Sequence, residues 1–453
     1  MSNSNPSIPQ SELSHRRQFL RASLAAGAAF AGIRAADAEE PTRAAPRAVS
    51  GDPIEPNWDE RLTITVGTKD ADLVGTNEKV IQAAVDLVAR RGGGTVKILP
   101  GVYRLRNAVT LASNIRLQGS GADSVLIKEP SIGTKLVADT DWYDQEITLA
   151  DASGFRVGDG ICLRAKSPHS GAMQVVKRTL VARSGNRFKL DRAVRENFWQ
   201  LGNSTVETLF PILTGEFLEQ VKIDNLTLDG NRSKNAELDG NYAGCIFLQD
   251  CRGIRIERVD AGNYHGDGIS FQICHDVHVE ECYSHDHSGL GMHPGSGSQR
   301  PVMRRNRLER NQIGIFFCWG VKNGIAEENR CIGNRGSGIS IGHRDTDNLI
   351  RKNRIESSGE VGILFRPERG PSFAGHRNLI LENEIVDSGG DAGIAIDVQG
   401  GTEEIRIIQN RIEETRGKMN RIGIRLGKST QRLTLKDNRI QGVLQAIQDL
   451  RGS

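Results

Sequence analysis

From about residue 221 to the C-terminus, apolar and polar positions recur in a fixed phrase, not at helical spacing. Aligned on a glycine followed by alternating residues, seven segments fall into register: 244–248, 268–272, 289–293, 314–318, 338–342, 362–366 and 393–397, with 423–427 an eighth. A second phrase, apolar-x-x-Asn-x-apolar, recurs around Asn306, Asn329, Asn353, Asn383, Asn410 and Asn438, with Cys282 in the equivalent slot. Successive units lie 21 to 31 residues apart. A period near 24 built of short strands and turns predicts a solenoid with one coil per unit and parallel strands stacked about 4.8 Å apart. Glycine at the bend is expected to supply unusual backbone angles, and the recurrent asparagine to stack as an internal amide ladder. The fold class this predicts is all-β, a right-handed parallel β-helix.

The chain ahead of the repeat is patterned differently. Val80, Ile81, Ala84, Val85 and Val88 recur at helical spacing, Thr76 or Asn77 can cap the start, and Arg91-Gly92-Gly93-Gly94 ends the run. Strand-like alternation follows over 95–105, so the helix is expected to cap the open end of the β stack. Residues 145–192, with a turn at Gly158-Asp159-Gly160, predict a small antiparallel β insertion beside the main body. At the N-terminus, Arg16-Arg17 precedes a short apolar run and the small-x-small triplet Ala36-Asp37-Ala38, which has the form of a twin-arginine signal peptide. The apolar run is too short to span a bilayer. The expected organisation is a signal peptide over 1–38, cleaved near Ala38, a linker over 39–60, a cap with first coils over 61–140, the insertion over 141–200 and β-helix repeats over 201–453. Such a chain would meet the twin-arginine export machinery and reside in the periplasm or be secreted, with no integral membrane span.

Composition narrows the function classes. Glycine is abundant at 51 residues, aromatics amount to 5%, and the net charge of +3 offers no footprint for nucleic acid. Of seven cysteines, Cys245, Cys282 and Cys331 occupy apolar or turn positions and read as buried, reduced packing residues.

Strand alternation decides which side chains share a face. Pairs such as Ile269/Phe271, Leu290/Met292 and Ile363/Phe365 are expected to point inward. The outward positions then form two columns. One reads Ser270, Gly291, Phe316, Ser340, Leu364, Ala395; the other reads Gln272, His293, Cys318, Gly342, Arg366, Asp397, with Trp319, His343 and Arg344 just beyond. The turns entering these strands would bring His265, Asp267, His285, Asp286 and His287 to one edge of the same sheet, whereas His275 and His278 fall on another. A shallow strip flanked by acids and bases suits an extended polymer.

At this point the sequence resembles the pectate lyase superfamily over roughly residues 61–453, on the strength of the 76–105 cap and first coil and the Gly-Ile and Asn-x-Ile coils. The resemblance implies a carbohydrate-active enzyme. His265-Gly266-Asp267-Gly268 is similar to one element of polygalacturonase-like members, but Asp286-His287 stands where an acidic pair is expected, and the dense aspartate cluster of calcium-dependent lyases is missing.

Three functions follow. A lyase or epimerase acting on a uronate-containing polysaccharide would use His293 or His343 as base and Arg366 or Arg344 on the carboxylate. A glycoside hydrolase would use Asp267 and Asp286 as its carboxylate pair. A non-catalytic glycan-binding or envelope β-helix would need neither. His265, His285, Gln272, Trp319, Arg344 and Asp397 are the expected substrate contacts. No tight metal-ligand spacing appears, so no cofactor is expected; calcium on Asp267 or Asp286 is an alternative without support in the spacing.

Overall fold

The computed structural model describes residues 55–390, 393–417 and 420–452; the expected signal peptide and most of the linker lie outside the described residues. The chain winds through three parallel sheets of 13, 12 and 11 strands. One coil contributes one strand to each: Asp267–Gln272 to the twelve-stranded sheet, His275–Glu280 to the thirteen-stranded sheet and Tyr283–His285 to the eleven-stranded sheet. Alternation buries Ile269, Phe271, Val277 and Val279 completely, and a single core cluster continues from Val66 to Leu426. Cys245, Cys282 and Cys331 are buried free thiols inside it, as the apolar pattern predicts.

Each coil must bend three times, and each bend leaves backbone N–H groups pointing at the next coil. Stacked side chains accept from them. Asn306 N donates to Asn329 Oδ1 (3.0 Å), Asn329 N to Asn353 Oδ1 (3.0 Å), Asn353 N to Asn383 Oδ1 (3.0 Å) and Asn383 N to Asn410 Oδ1 (2.9 Å), with Cys282 N bonded to Asn306 at the start. This is the expected amide ladder. A second runs through Tyr264, His287, Asn311 and Asn334, and a third links Cys274 to Ser298 and Val321 to Asp345.

Glycine supplies left-handed backbone at some bends, such as Gly297 (φ 80°), Gly320 (φ 75°) and Gly333 (φ 61°), but not at the repeat positions that open the strands. Left-handed residues other than glycine stand just before the ladder, such as Arg305 (φ 53°), Glu328 (φ 57°) and Lys352 (φ 53°). The repeat glycines are demanded by crowding instead. A Cβ on Gly338 would lie 2.4 Å from Ile355 Cγ2, and one on Gly291 would lie 2.7 Å from Asn311 Nδ2.

The helix α1, Glu78–Arg90, is capped by Asn77, whose side chain accepts from Lys79 N (3.1 Å), a contact worth about 1 kcal/mol. Its buried face of Ile81, Ala84, Val85 and Val88 covers the first coil. The antiparallel insertion is a six-stranded sheet with its own core around Phe155, Phe188 and Phe198, and its strands run from Gly133 to Glu207, past both ends of the expected 141–200. Among the described residues no helix is long and apolar enough to cross a membrane.

Candidate active site

The outward face of the twelve-stranded sheet carries the candidates His293 and Arg366, but two strands stand two residues away from their expected register. Ser270 pairs with His293, and Met292 with Ile315, so His293 belongs beside Ser270 and Phe316, not beside Gln272 and Cys318. Leu364 likewise pairs with Asp397, which moves Asp397 out of the Arg366 column. The corrected column reads Phe247, Ser270, His293 on one side and Phe316, Ser340, Leu364, Asp397, Arg425 on the other. A slip of two preserves the face and shifts only the position along the strand.

His293 and Asp267 form a buried dyad. The imidazole Nδ1 lies 2.8 Å from Asp267 Oδ2, and each side chain is 4% exposed. Asp267 Oδ1 accepts from Leu290 N (2.8 Å), so both carboxylate oxygens are occupied. A carboxylate only accepts, so Nδ1 is the donor of this bond and Nε2 is the ring nitrogen it leaves unengaged. Nε2 makes no protein hydrogen bond among the described residues, and the ring meets Phe316 edge-on at 5.5 Å between centroids. The dyad opens on a cleft of about 600 Å³ bounded by Tyr242, Phe316 and Trp319.

The roof of that cleft was not legible in the sequence. Residues 230–243 replace the short 263–266 turn of the next coil, and place Glu237, Asp239 and Tyr242 over the dyad. The loop presses hard on Asp267: a Cβ on Gly240 would fall 1.6 Å from Asp267 Oδ2, and Gly240 O accepts from Ser270 Oγ (2.8 Å). The insertion braces it from outside. Arg164 donates to Glu237 O and Lys177 to Tyr242 O, with the Lys177 amine 4.0 Å from the Phe247 ring centre. Burial lowers the Lys177 amine to about 8. The only advance signal was the unusual length of that coil.

Arg366 is near the dyad but is not aimed at the cleft. Its guanidinium lies 4.3 Å from the centre of the same Phe316 ring that His293 touches. It donates to Ser340 Oγ (2.8 Å), Phe317 O (2.8 Å) and Asp345 Oδ2 (3.3 Å). With those donors engaged, it cannot clamp a substrate carboxylate, and that expectation is corrected. Burial drives the Asp345 carboxyl up to about 7 despite Arg366 and two backbone donors. His343 is held by Glu368 through its N–H (2.7 Å) and Nδ1 (3.3 Å), and is stacked against the exposed Trp319 at 4.5 Å. Arg344, also exposed, lies over Phe373.

The remaining candidates scatter. Asp286 sits on the eleven-stranded side, bound by both Arg310 Nε and Nη2 (2.7 Å each), and that pairing holds its carboxyl well below the usual range. It does not face Asp267, so the two are not a carboxylate pair. Burial would lower His285, but hydrogen bonds to Asp260 (2.9 Å) and Asp286 (2.6 Å) outweigh it and raise the imidazole. His265 Nδ1 is spent on Asn235 O (2.8 Å). Asp286 is left-handed (φ 58°), which breaks the alternation and turns His287 into the core. There His287 is fully buried and pushed down to about 3, chiefly by desolvation, as a member of the ladder. Asp397 is buried against Arg425 (2.9 and 2.6 Å). Gln272 is buried beneath Ser270 with no protein partner for Oε1. No cluster of three or more metal-ligating side chains occurs among the described residues.

Residues 219–370 match the family model described as the right-handed β-helix region. No curated protein matches the chain. Among solved structures, the A-module of the mannuronan C-5 epimerase AlgE4 from Azotobacter vinelandii aligns with a TM-score of 0.52 at 15% identity, over 86% of this chain and 100% of that one. PfbA, a surface adhesin of Streptococcus pneumoniae, aligns at 0.53 and 13%, over 84% and 91%. A protein named a glycoside hydrolase aligns at 0.52 and 9%, over 84% and 97%. At these identities the likeness is one of fold, and the fold is a right-handed parallel β-helix.

Proposed function

We propose that this chain is an exported carbohydrate-active enzyme that binds an extended, uronate-containing glycan along the twelve-stranded face and uses the Asp267–His293 dyad for proton transfer. One observation carries the reading: an imidazole whose Nδ1 is fixed by a buried carboxylate at 2.8 Å leaves its Nε2 without a protein partner among the described residues, beside an aromatic-walled cleft. A nitrogen so placed has the geometry of a general base. It would take the ring proton next to the uronate carboxylate. The electron pair then either expels the glycosidic oxygen as an elimination or is reprotonated from the other face as an epimerisation. Tyr242, on the loop that closes over Asp267, is the hydroxyl available to give its own proton, to the departing glycosidic oxygen in elimination or to the opposite face of the sugar in epimerisation; the phenolate left behind regains a proton when His293 releases the one it took.

Hydrolysis fits less well in its expected form. Neither oxygen of Asp267 is free to protonate a leaving group, and Asp286 is held elsewhere by Arg310. Glu237 and Asp239 keep a hydrolytic reading alive, since both line the same cleft. Neighbours of this fold include a mannuronan epimerase, a glycoside hydrolase and an adhesin, so the fold by itself leaves all three chemistries open.

The test is incubation with a panel of acidic and neutral polysaccharides, following the ultraviolet absorbance of unsaturated ends, new reducing ends and the proton exchange that accompanies epimerisation. Elimination or exchange that falls by about 10² to 10⁴ in His293→Gln, and not in His278→Ala, supports the proposal. Reducing ends without unsaturation assign hydrolysis. Equal rates in His293→Gln and the unmutated protein would overturn the dyad.

A further inference from the structure

Next to the cleft, three rings from successive coils stack on one another: the exposed Trp319, the buried His343 and the half-buried Phe373. Trp319 lines the cleft and is 57% exposed. Its indole stacks on His343 at 4.5 Å with 26° between planes, and His343 in turn meets Phe373 at 5.2 Å. Three coils at about 4.8 Å each carry this surface roughly 10 Å along the helix axis.

Two cations flank its far end. The guanidinium carbons of Arg344 and Arg369 lie 4.4 and 4.2 Å from the centre of the Phe373 ring. Arg344 donates from Nε to Ser372 O (3.2 Å), which sets its orientation. Neither arginine has an acidic partner within 4 Å among the described residues, although arginine–carboxylate pairs are plentiful elsewhere on the coils. Glu368, next to Arg369 in the chain, is committed to His343 and lies 3.6 Å from Arg366.

We propose that Trp319 and Phe373, joined through the buried His343 ring, form with Arg344 and Arg369 a binding shelf for an anionic sugar of the same glycan, beside the residue that reacts at His293. The inference rests on the proposed function for its polymer, but not on the identity of the reaction. Sugar rings present apolar C–H faces that pack on exposed indole and phenyl rings. A guanidinium pre-oriented over an aromatic ring and lacking an internal carboxylate is suited to accept a carboxylate or sulfate oxygen bidentately. The shelf also fills a gap in the site, because the cleft lining itself carries Glu237, Asp239 and Asp267 but no lysine or arginine.

The experiment uses the full chain in two backgrounds, the unmutated protein and His293→Gln, so that binding is read without turnover. Titration calorimetry with alginate and polygalacturonate hexamers, a neutral cello-hexamer and dextran sulfate supplies the arms. The shelf predicts salt-sensitive binding of anionic oligomers over the neutral one. Arg344→Gln/Arg369→Gln should weaken that binding about tenfold or more. In the active protein the same pair should raise KM with kcat little changed. Both arginines are exposed, so an unchanged melting temperature checks the fold. Tighter binding of dextran sulfate than of either polyuronate upholds the shelf and assigns the anion as a sulfate ester. Equal affinity of the double variant, or neutral binding as tight as anionic, overturns it. Arginine-dependent polyuronate binding with no turnover by the unmutated protein would leave the shelf standing and remove the proposed reaction.

Discussion

Lys128 is a buried amine inside the β-helix core, and replacing it with methionine should stabilise the protein in a pH-dependent way. The side chain is 2% exposed; Nζ donates to Phe210 O (2.9 Å) and sits 4.4 and 5.0 Å from the Phe210 and Tyr264 ring centres. No carboxylate pairs with it among the described residues, and desolvation lowers the amine from 10.5 to about 7. A depression of 3.5 units corresponds to about 5 kcal/mol of disfavoured protonation. In the folded state the amine is neutral above about 7, whereas the unfolded chain holds its proton up to 10.5. The unfolded state therefore binds the extra proton in that window, and the cost is full below about pH 7 and fades as pH rises towards 10.5. Lys128→Met keeps the volume and removes the charge. Phe210 O loses one donor but keeps Tyr264 Oη at 2.9 Å. After roughly 1 kcal/mol for that bond and some repacking, the variant should be more stable by about 3 kcal/mol near neutrality. Between about pH 7 and pH 9 the gap should shrink by roughly 2 kcal/mol. Urea denaturation of both proteins across that range measures it. A variant less stable than the parent with the same pH slope would mean that the folded core carries Lys128 charged, and the reasoning would fail.

Two further substitutions probe the bends and the roof. His287 is pushed down to about 3, so stability present above about 6.5 should drain away as pH falls towards 3; His287→Asn should flatten that acid limb, read by urea midpoints between those values, whatever the cavity costs at neutral pH. Gly240→Ala places a methyl 1.6 Å from Asp267 Oδ2, and should cut turnover at least tenfold while circular dichroism stays that of the parent; unchanged turnover would mean that the roof does not set the dyad.

The coil period, the helical cap and the antiparallel insertion were legible, because each is written in a periodicity that water enforces. Position along the strand was not. Aligning on Gly289 and Gly393 put His293 and Asp397 two residues out, since a slip of two keeps the alternation: Met292 and Ile396 still face inward, while Leu290, expected beside them, lines the cleft. Gly289 is small for a different reason from its neighbours: its Cβ would fall 2.3 Å from Asp267 Oδ1, whereas the true repeat position is Gly291. His287 was misplaced because one left-handed residue, Asp286, reverses the alternation without any change in composition. Arg366 was misjudged because the pairings that occupy it, Ser340, Phe317 and Asp345, come from other coils. The roof over 230–243 has no period at all, so nothing in its sequence announced where it would fold back.

The ladders separate what holds the molecule from what it recognises. Asn329 reaches Asn353 across 24 residues and Asn348 reaches Asn378 across 30, yet the hydrogen bonds are 3.0 and 2.9 Å. The extra residues of the longer coil are spent outside, between Phe365 and Leu379, in the excursion that carries Arg369 and Phe373. Coil length is thus a free variable on the exterior and an invariant in the interior. A scaffold of this kind can be re-specified by grafting excursions such as 230–243 or 366–378 between coils, and closing a longer surface loop costs little more than closing a short one. Selection for a new glycan could therefore act on those two segments while the stack beneath them stays untouched.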